Sequence, residues 1–167
     1  MATAKPIGID NFIKEMDIRA NEFKNIAGKA LYQGAGIVAN QLRKNIEELP
    51  ERSPGKAKDG QMKRGVTKYQ KAAMLDGMGI TKMQHKDGTF DIKIGFEGYD
   101  GEVTNEYPNG HPISMIARSV ESGTSWLQKT PFIRPAYNKA HTEAERAMVN
   151  TLDEAWTDLK RSGTGPV

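Results

Sequence analysis

The chain contains no cysteine. Disulfide staples, thiolate nucleophiles and zinc–thiolate centres are therefore excluded. Histidine is nearly as scarce, with three in 167 residues, and aromatics make up only 7%. That balance suits a small globular protein with extended parts rather than an enzyme built around a deep pocket. No apolar run approaches the ~20 residues of a membrane span. The opening Met1-Ala2-Thr3-Ala4-Lys5-Pro6 has none of the apolar core of a secretory signal. A soluble protein made in a cytoplasm, with no membrane partner, is expected. Charge of one sign is also lacking, because 24 Lys and Arg against 21 Asp and Glu leave a net +3 and a pI near 9.0. Such a mild excess permits contact with nucleic acid without demanding it.

A chain of this length suits one domain, residues 1–167, burying roughly 70% of its unfolded surface. Its expected parts are a long helix over 8–49, a basic flexible loop over 50–68, a hairpin, short helix and C-terminal helix within 69–162, and a tail at 163–167. The long helix follows from apolar or small residues every three or four positions, among them Ile9, Phe12, Met16, Phe23, Ala30, Leu31, Val38, Leu42 and Ile46. Asp10 suits its N-cap. About 40 helical residues would reach ~60 Å, more than such a domain spans, so part of the helix must project or pack on something else. Gly28, Gly34 and Gly36 mark a kink or a close approach of another element.

Pro50 ends that helix. Between Glu51 and Lys71 stand Arg52, Lys56, Lys58, Lys63, Arg64, Lys68 and Lys71, with Glu51 and Asp59 the opposing charges and almost nothing apolar. The plain reading is a mobile, solvated loop. The sharper one is an arm that orders on a partner subunit or against nucleic acid, with Arg52, Lys56, Lys58, Lys63, Arg64 and Lys68 as its contacts.

Tyr69–Gly77 reads as one or two helical turns. Met78–Met83 and Phe90–Phe96 then flank Asp87-Gly88, a strong hairpin signal. In the second arm Phe90, Ile92, Ile94 and Phe96 share one face, the alternation of a half-buried antiparallel strand. Residues 97–112 are loop-forming, Ile113–Ser122 is helical, and a last helix runs from near Pro135 to about Lys160. Its stripe includes Tyr137, Ala140, Ala144, Met148, Leu152 and Trp156. The fold class is thus α+β: long N- and C-terminal helices packed with a small antiparallel β-sheet built around a hairpin.

No catalytic pattern emerges. His85, His111 and His141 lack a carboxylate or second histidine at ligand spacing, and His111-Pro112 reads as a turn. Asp87 and Asp91 have no third carboxylate patterned as a calcium loop. Ser125 lies outside any nucleophile-elbow sequence. Catalytic, cofactor and metal sites are all expected to be none, leaving a chain that acts by binding. No helix-turn-helix or zinc spacing appears, so any nucleic-acid contact would be to phosphates.

The distinctive stretch is Val120–Ala136. Glu121, Gly123 and Thr124 form a turn, and Pro131, Phe132, Ile133, Arg134, Pro135 and Ala136 lead into the last helix. Two prolines fix φ and remove two donors, forcing the chain extended and then helical. With the order of elements around it, this motif resembles the gene-ten-like (HK97-type) tail-component or tail-completion family of long-tailed phages. Ala117-Arg118-Ser119 departs from the family, which often carries a tyrosine–alanine pair before the glutamate turn.

The resemblance implies a virion structural protein of the neck, with no cofactor, acting in head–tail joining or tail completion. It implies a ring of six or twelve copies between the capsid connector and the tail tube. Partners would be head-completion or connector proteins on one side and a tail terminator or tail tube protein on the other, with non-specific contact to packaged DNA. Assembly would occur in the host cytoplasm. The alternatives are a tail-terminator ring protein, or a sequence-independent nucleic-acid-associated protein using the 51–71 arm. Within the motif, Phe132 is expected to anchor under the hairpin. Arg134 either pairs with Glu121 or faces solvent.

Overall fold

The structure is a computed structural model that describes residues 9–55 and 60–161. Lys56, Lys58 and Asp59, and the tail expected at 163–167, lie outside the described residues. The fold is α+β. Helix α1 spans Ile9–Glu47 and α4 spans Ile133–Arg161. Between them come α2 (Lys68–Gly77) and α3 (Ile113–Ser122), with strands β1 (Lys63–Arg64), β2 (Met78–Ile80), β3 (Gln84–Lys86), β4 (Thr89–Asp91), β5 (Ile94–Phe96) and β6 (Leu127–Gln128).

The two long helices form an antiparallel pair. Asn45 of α1 donates Nδ2–H to the Phe132 carbonyl at the start of α4 (2.9 Å), while the Thr151 hydroxyl donates to Gln33 Oε1 (2.8 Å) further along. Close approach occurs at Gly34, where a Cβ would stand 2.7 Å from Met148 Cγ. Gly36 has open space in its place. At 1.5 Å per residue, 39 residues make α1 about 58 Å long and 29 make α4 about 43 Å. Asp10 lies inside α1 rather than beyond its end.

The hairpin runs along α1 in two antiparallel tiers, β2 with β5 and β3 with β4. Asp87 and Gly88 both have positive φ (51° and 77°), as a type I′ turn requires. Tyr32 on α1 accepts the Met83 N–H (2.9 Å), and Phe23 meets the Phe90 ring at 6.1 Å. The core lies at the opposite end of α1. There Leu42, Ile46 and Leu49 pack with Val66, Met74, Ile116, Val120, Leu127 and Phe132. Helix α2 starts on a capping box: Thr67 Oγ1 accepts the Gln70 N–H (3.1 Å) and Gln70 Oε1 accepts the Thr67 N–H (3.2 Å).

Candidate interaction site

The motif stretch closes the core end of the molecule. Glu121, in the last turn of α3, points its carboxylate at the first turn of α4. Its Oε2 accepts the N–H of Phe132 (2.6 Å) and of Ile133 (2.8 Å), and its Oε1 accepts that of Arg134 (3.1 Å). Pro135 has no N–H to satisfy, and the Ala136 N–H already reaches the Phe132 carbonyl (3.3 Å). Every donor at this helix start is thereby accounted for, and the negative charge sits at the positive end of the helix dipole. The Glu121–Arg134 side-chain pair is replaced by a bond to the Arg134 backbone, and Arg134 itself is exposed.

Between these ends the chain makes a tight detour. Gly123 has φ +77°, and its N–H closes α3 on the Ser119 carbonyl (2.9 Å). Thr124 Oγ1 accepts the Leu127 N–H (3.0 Å), and the Thr130 N–H returns to the Val120 carbonyl (2.9 Å). Phe132 is 2% exposed and meets Phe96 of β5 edge-on at 6.3 Å, so it sits under the hairpin. Ala136 is buried, whereas Pro131, Ile133 and Pro135 face outward.

The basic segment joins the same face. Strand β6 pairs in parallel with β1, and the Lys63 N–H binds the Trp126 carbonyl (2.9 Å). The segment was expected as a mobile, solvated loop, but three of its described cations, Arg52, Lys63 and Lys71, are tied to the fold. Arg52 Nε donates to the Gly65 carbonyl (3.3 Å) and its NH2 to Gln70 Oε1 (3.2 Å), with the guanidinium 5.5 Å over the Trp126 ring. Burial pulls the Arg52 pKa below its ordinary value, opposed by the field of Glu102. Lys63 Nζ reaches the carbonyls of Ser53, Pro54 and Gly55 (3.0, 3.3 and 2.7 Å). Lys71 pairs with Glu51 (3.0 Å). Arg64 and Lys68 remain exposed, as do Met62 just before β1 and Trp126 just before the paired β6.

Two sequence readings are thus one surface. The parallel β1–β6 contact was not legible, because two-residue strands carry no period. The Thr67-x-x-Gln70 box was a readable signal for the start of α2. Sequence spacing left His111 without an acidic neighbour, but the fold places it against Asp100, with Nδ1 3.3 Å from Oδ2. No described helix is long and apolar enough to cross a membrane. No family model, curated protein or solved structure matches the chain.

Proposed function

We propose that the protein is a structural component of a phage neck, acting in head–tail joining or tail completion as part of a ring between capsid connector and tail tube. The observation that carries this reading is the Glu121 cap. The residues that resemble the phage family form one bonded unit, in which Glu121, Gly123 and Thr124 hold the Pro131–Ala136 segment against the core. A motif built this way sets the angle of the last helix and presents an outer face with Trp126, Ile133 and Arg134 exposed. Along the α1–α4 pair, Tyr137, Val149 and Leu152 are large apolar side chains left exposed. Exposed apolar side chains on a long helical pair suit neighbouring subunits in an assembly.

The deciding experiment removes the gene from the phage and images the lysate. Separate filled heads and tails, or malformed tails, are the expected products. Intact infectious particles would sink the proposal. The nucleic-acid reading has a separate test in the salt dependence of DNA binding. With Arg52 and Lys63 engaged internally, the slope of log K against log salt should be shallow, at about −0.9 for each phosphate contact that remains.

A further inference from the structure

The 97–112 loop closes on itself around Asp100. The Asp100 N–H binds the His111 carbonyl (3.0 Å), and Asp100 Oδ1 accepts the N–H groups of Glu102 (3.0 Å) and His111 (2.8 Å). The Asp100 side chain is completely buried. Because Oδ1 is fully engaged, Oδ2 is turned toward His111 Nδ1 at 3.3 Å, with Gln70 Nε2 behind it at 3.5 Å. His111 Nδ1 is itself buried and makes no hydrogen bond, although Asp100 Oδ2 lies 3.3 Å away. Folded proteins seldom leave a buried ring nitrogen so. Glu102 brings a third donor: one ligand atom each from Asp100, Glu102 and His111 lie within 4.8 Å of one another.

We propose that these three side chains bind a divalent transition-metal ion of the zinc class, with an open fourth position. One imidazole nitrogen and two carboxylate oxygens suit such an ion better than calcium or magnesium, which favour oxygen alone. A tetrahedral site with bonds of about 2.0–2.1 Å has ligand–ligand edges of about 3.4 Å, and the Asp100–His111 separation already matches. Glu102 is half-buried and closes the remaining distance by side-chain rotation. The supporting contacts are in place: Gln70, fixed by the α2 capping box, holds Asp100, and Tyr107 lies 4.6 Å from the His111 ring. Arg52 is a nearby positive charge that acts on Glu102. Its charge opposes cation binding there. A bound ion would pin the loop to α2 and to the start of α3.

The test uses the metal-stripped full chain, titrated calorimetrically with Zn²⁺, and with Co²⁺ as an optical probe of ligand geometry. One ion per chain is expected, with a Zn²⁺-dependent rise in melting temperature. His111→Ala and Glu102→Gln should each weaken binding at least about tenfold. His141→Ala, half-buried on α4 against Tyr137, should leave it unchanged. Absence of binding, or binding that His111→Ala and Glu102→Gln leave intact, overturns the site. If His111→Ala fails to fold by circular dichroism, Glu102→Gln decides alone, because Glu102 contributes only its backbone N–H to the loop's hydrogen bonds.

Discussion

Glu121 Oε2 lies 2.6 Å from the Phe132 amide nitrogen, joining the end of α3 to the start of α4 through the main chain. The same carboxylate also takes the next two N–H groups, so one side chain replaces the usual Ser or Asp cap. Glu121→Ala strands three donors, one of them on the buried Phe132. A loss of about 2–3 kcal/mol in urea unfolding is expected. Arg134→Ala should change stability by no more than about 0.5 kcal/mol. The charge-swapped double variant Glu121→Arg/Arg134→Glu should be no more stable than Glu121→Arg alone. Rescue in that double variant would restore the side-chain pair.

Gly123 and Gly36 should respond to alanine with opposite signs. At Gly123, φ is +77° and a Cβ would stand 3.0 Å from the Lys129 nitrogen. Gly123→Ala should cost about 1–3 kcal/mol through the backbone alone, because φ +77° with ψ 167° is a conformation essentially reserved for glycine. Gly36 lies inside α1 with nothing within 4 Å of the added methyl. Gly36→Ala should therefore stabilise by about 0.5–1 kcal/mol through helix propensity and a less flexible unfolded chain. Thermal melts of the two variants check both signs. A loss at Gly36 would mean that α1 needs glycine there for a contact with another molecule.

How far the sequence carried depends on whether a feature is local. Helix α3 was read with its final bounds, Ile113 to Ser122, because an apolar stripe lies between Pro112 and Gly123. Asp87-Gly88 marked the hairpin for the same reason: the turn geometry is written in two adjacent residues. Helix α4 begins at Ile133 rather than Pro135, since Glu121 supplies acceptors from outside the helix and lets it start earlier. The contacts of the basic segment carry no periodic pattern, whether remote, as for Arg52, or within the segment itself, as for Lys63 and Lys71. Arg52 needs Trp126, and Lys63 needs three carbonyls gathered by a fold-dependent turn. Asp100 and His111 meet only when the loop closes, which no spacing rule foresees.

Arg52 should not tolerate lysine. Its guanidinium serves the Gly65 carbonyl and Gln70 Oε1 together while lying over Trp126. An ammonium lacks both the fork and the flat face. Arg52→Lys is expected to cost about 1–2 kcal/mol, combining one charged hydrogen bond with a partly exposed cation–π contact. In a Trp156→Phe background, Trp126 is the sole indole, and its emission should shift to the red as Arg52 is replaced. An unchanged spectrum with unchanged stability would show that the β1–β6 contact holds this surface without Arg52.

Phe132 tests whether the motif anchors the core or merely borders it. The side chain is 2% exposed, contacts Phe96 edge-on, and carries on its backbone the carbonyl that receives Asn45 from α1. Truncation to alanine removes the largest fully buried side chain described at the junction of α1, α3 and α4, and should cost about 3–5 kcal/mol. Against a typical total of about 5–15 kcal/mol, that leaves a folded but marginal protein. Phe132→Leu retains most of the volume and should lose less. A Phe96/Phe132 double-mutant cycle to leucine should return a coupling of about 0.5–1.5 kcal/mol, the share belonging to ring geometry rather than area. Additive losses would mean that the rings contribute independently, and that Phe132 is held by Glu121 and Asn45 through its backbone more than by the hairpin through its side chain.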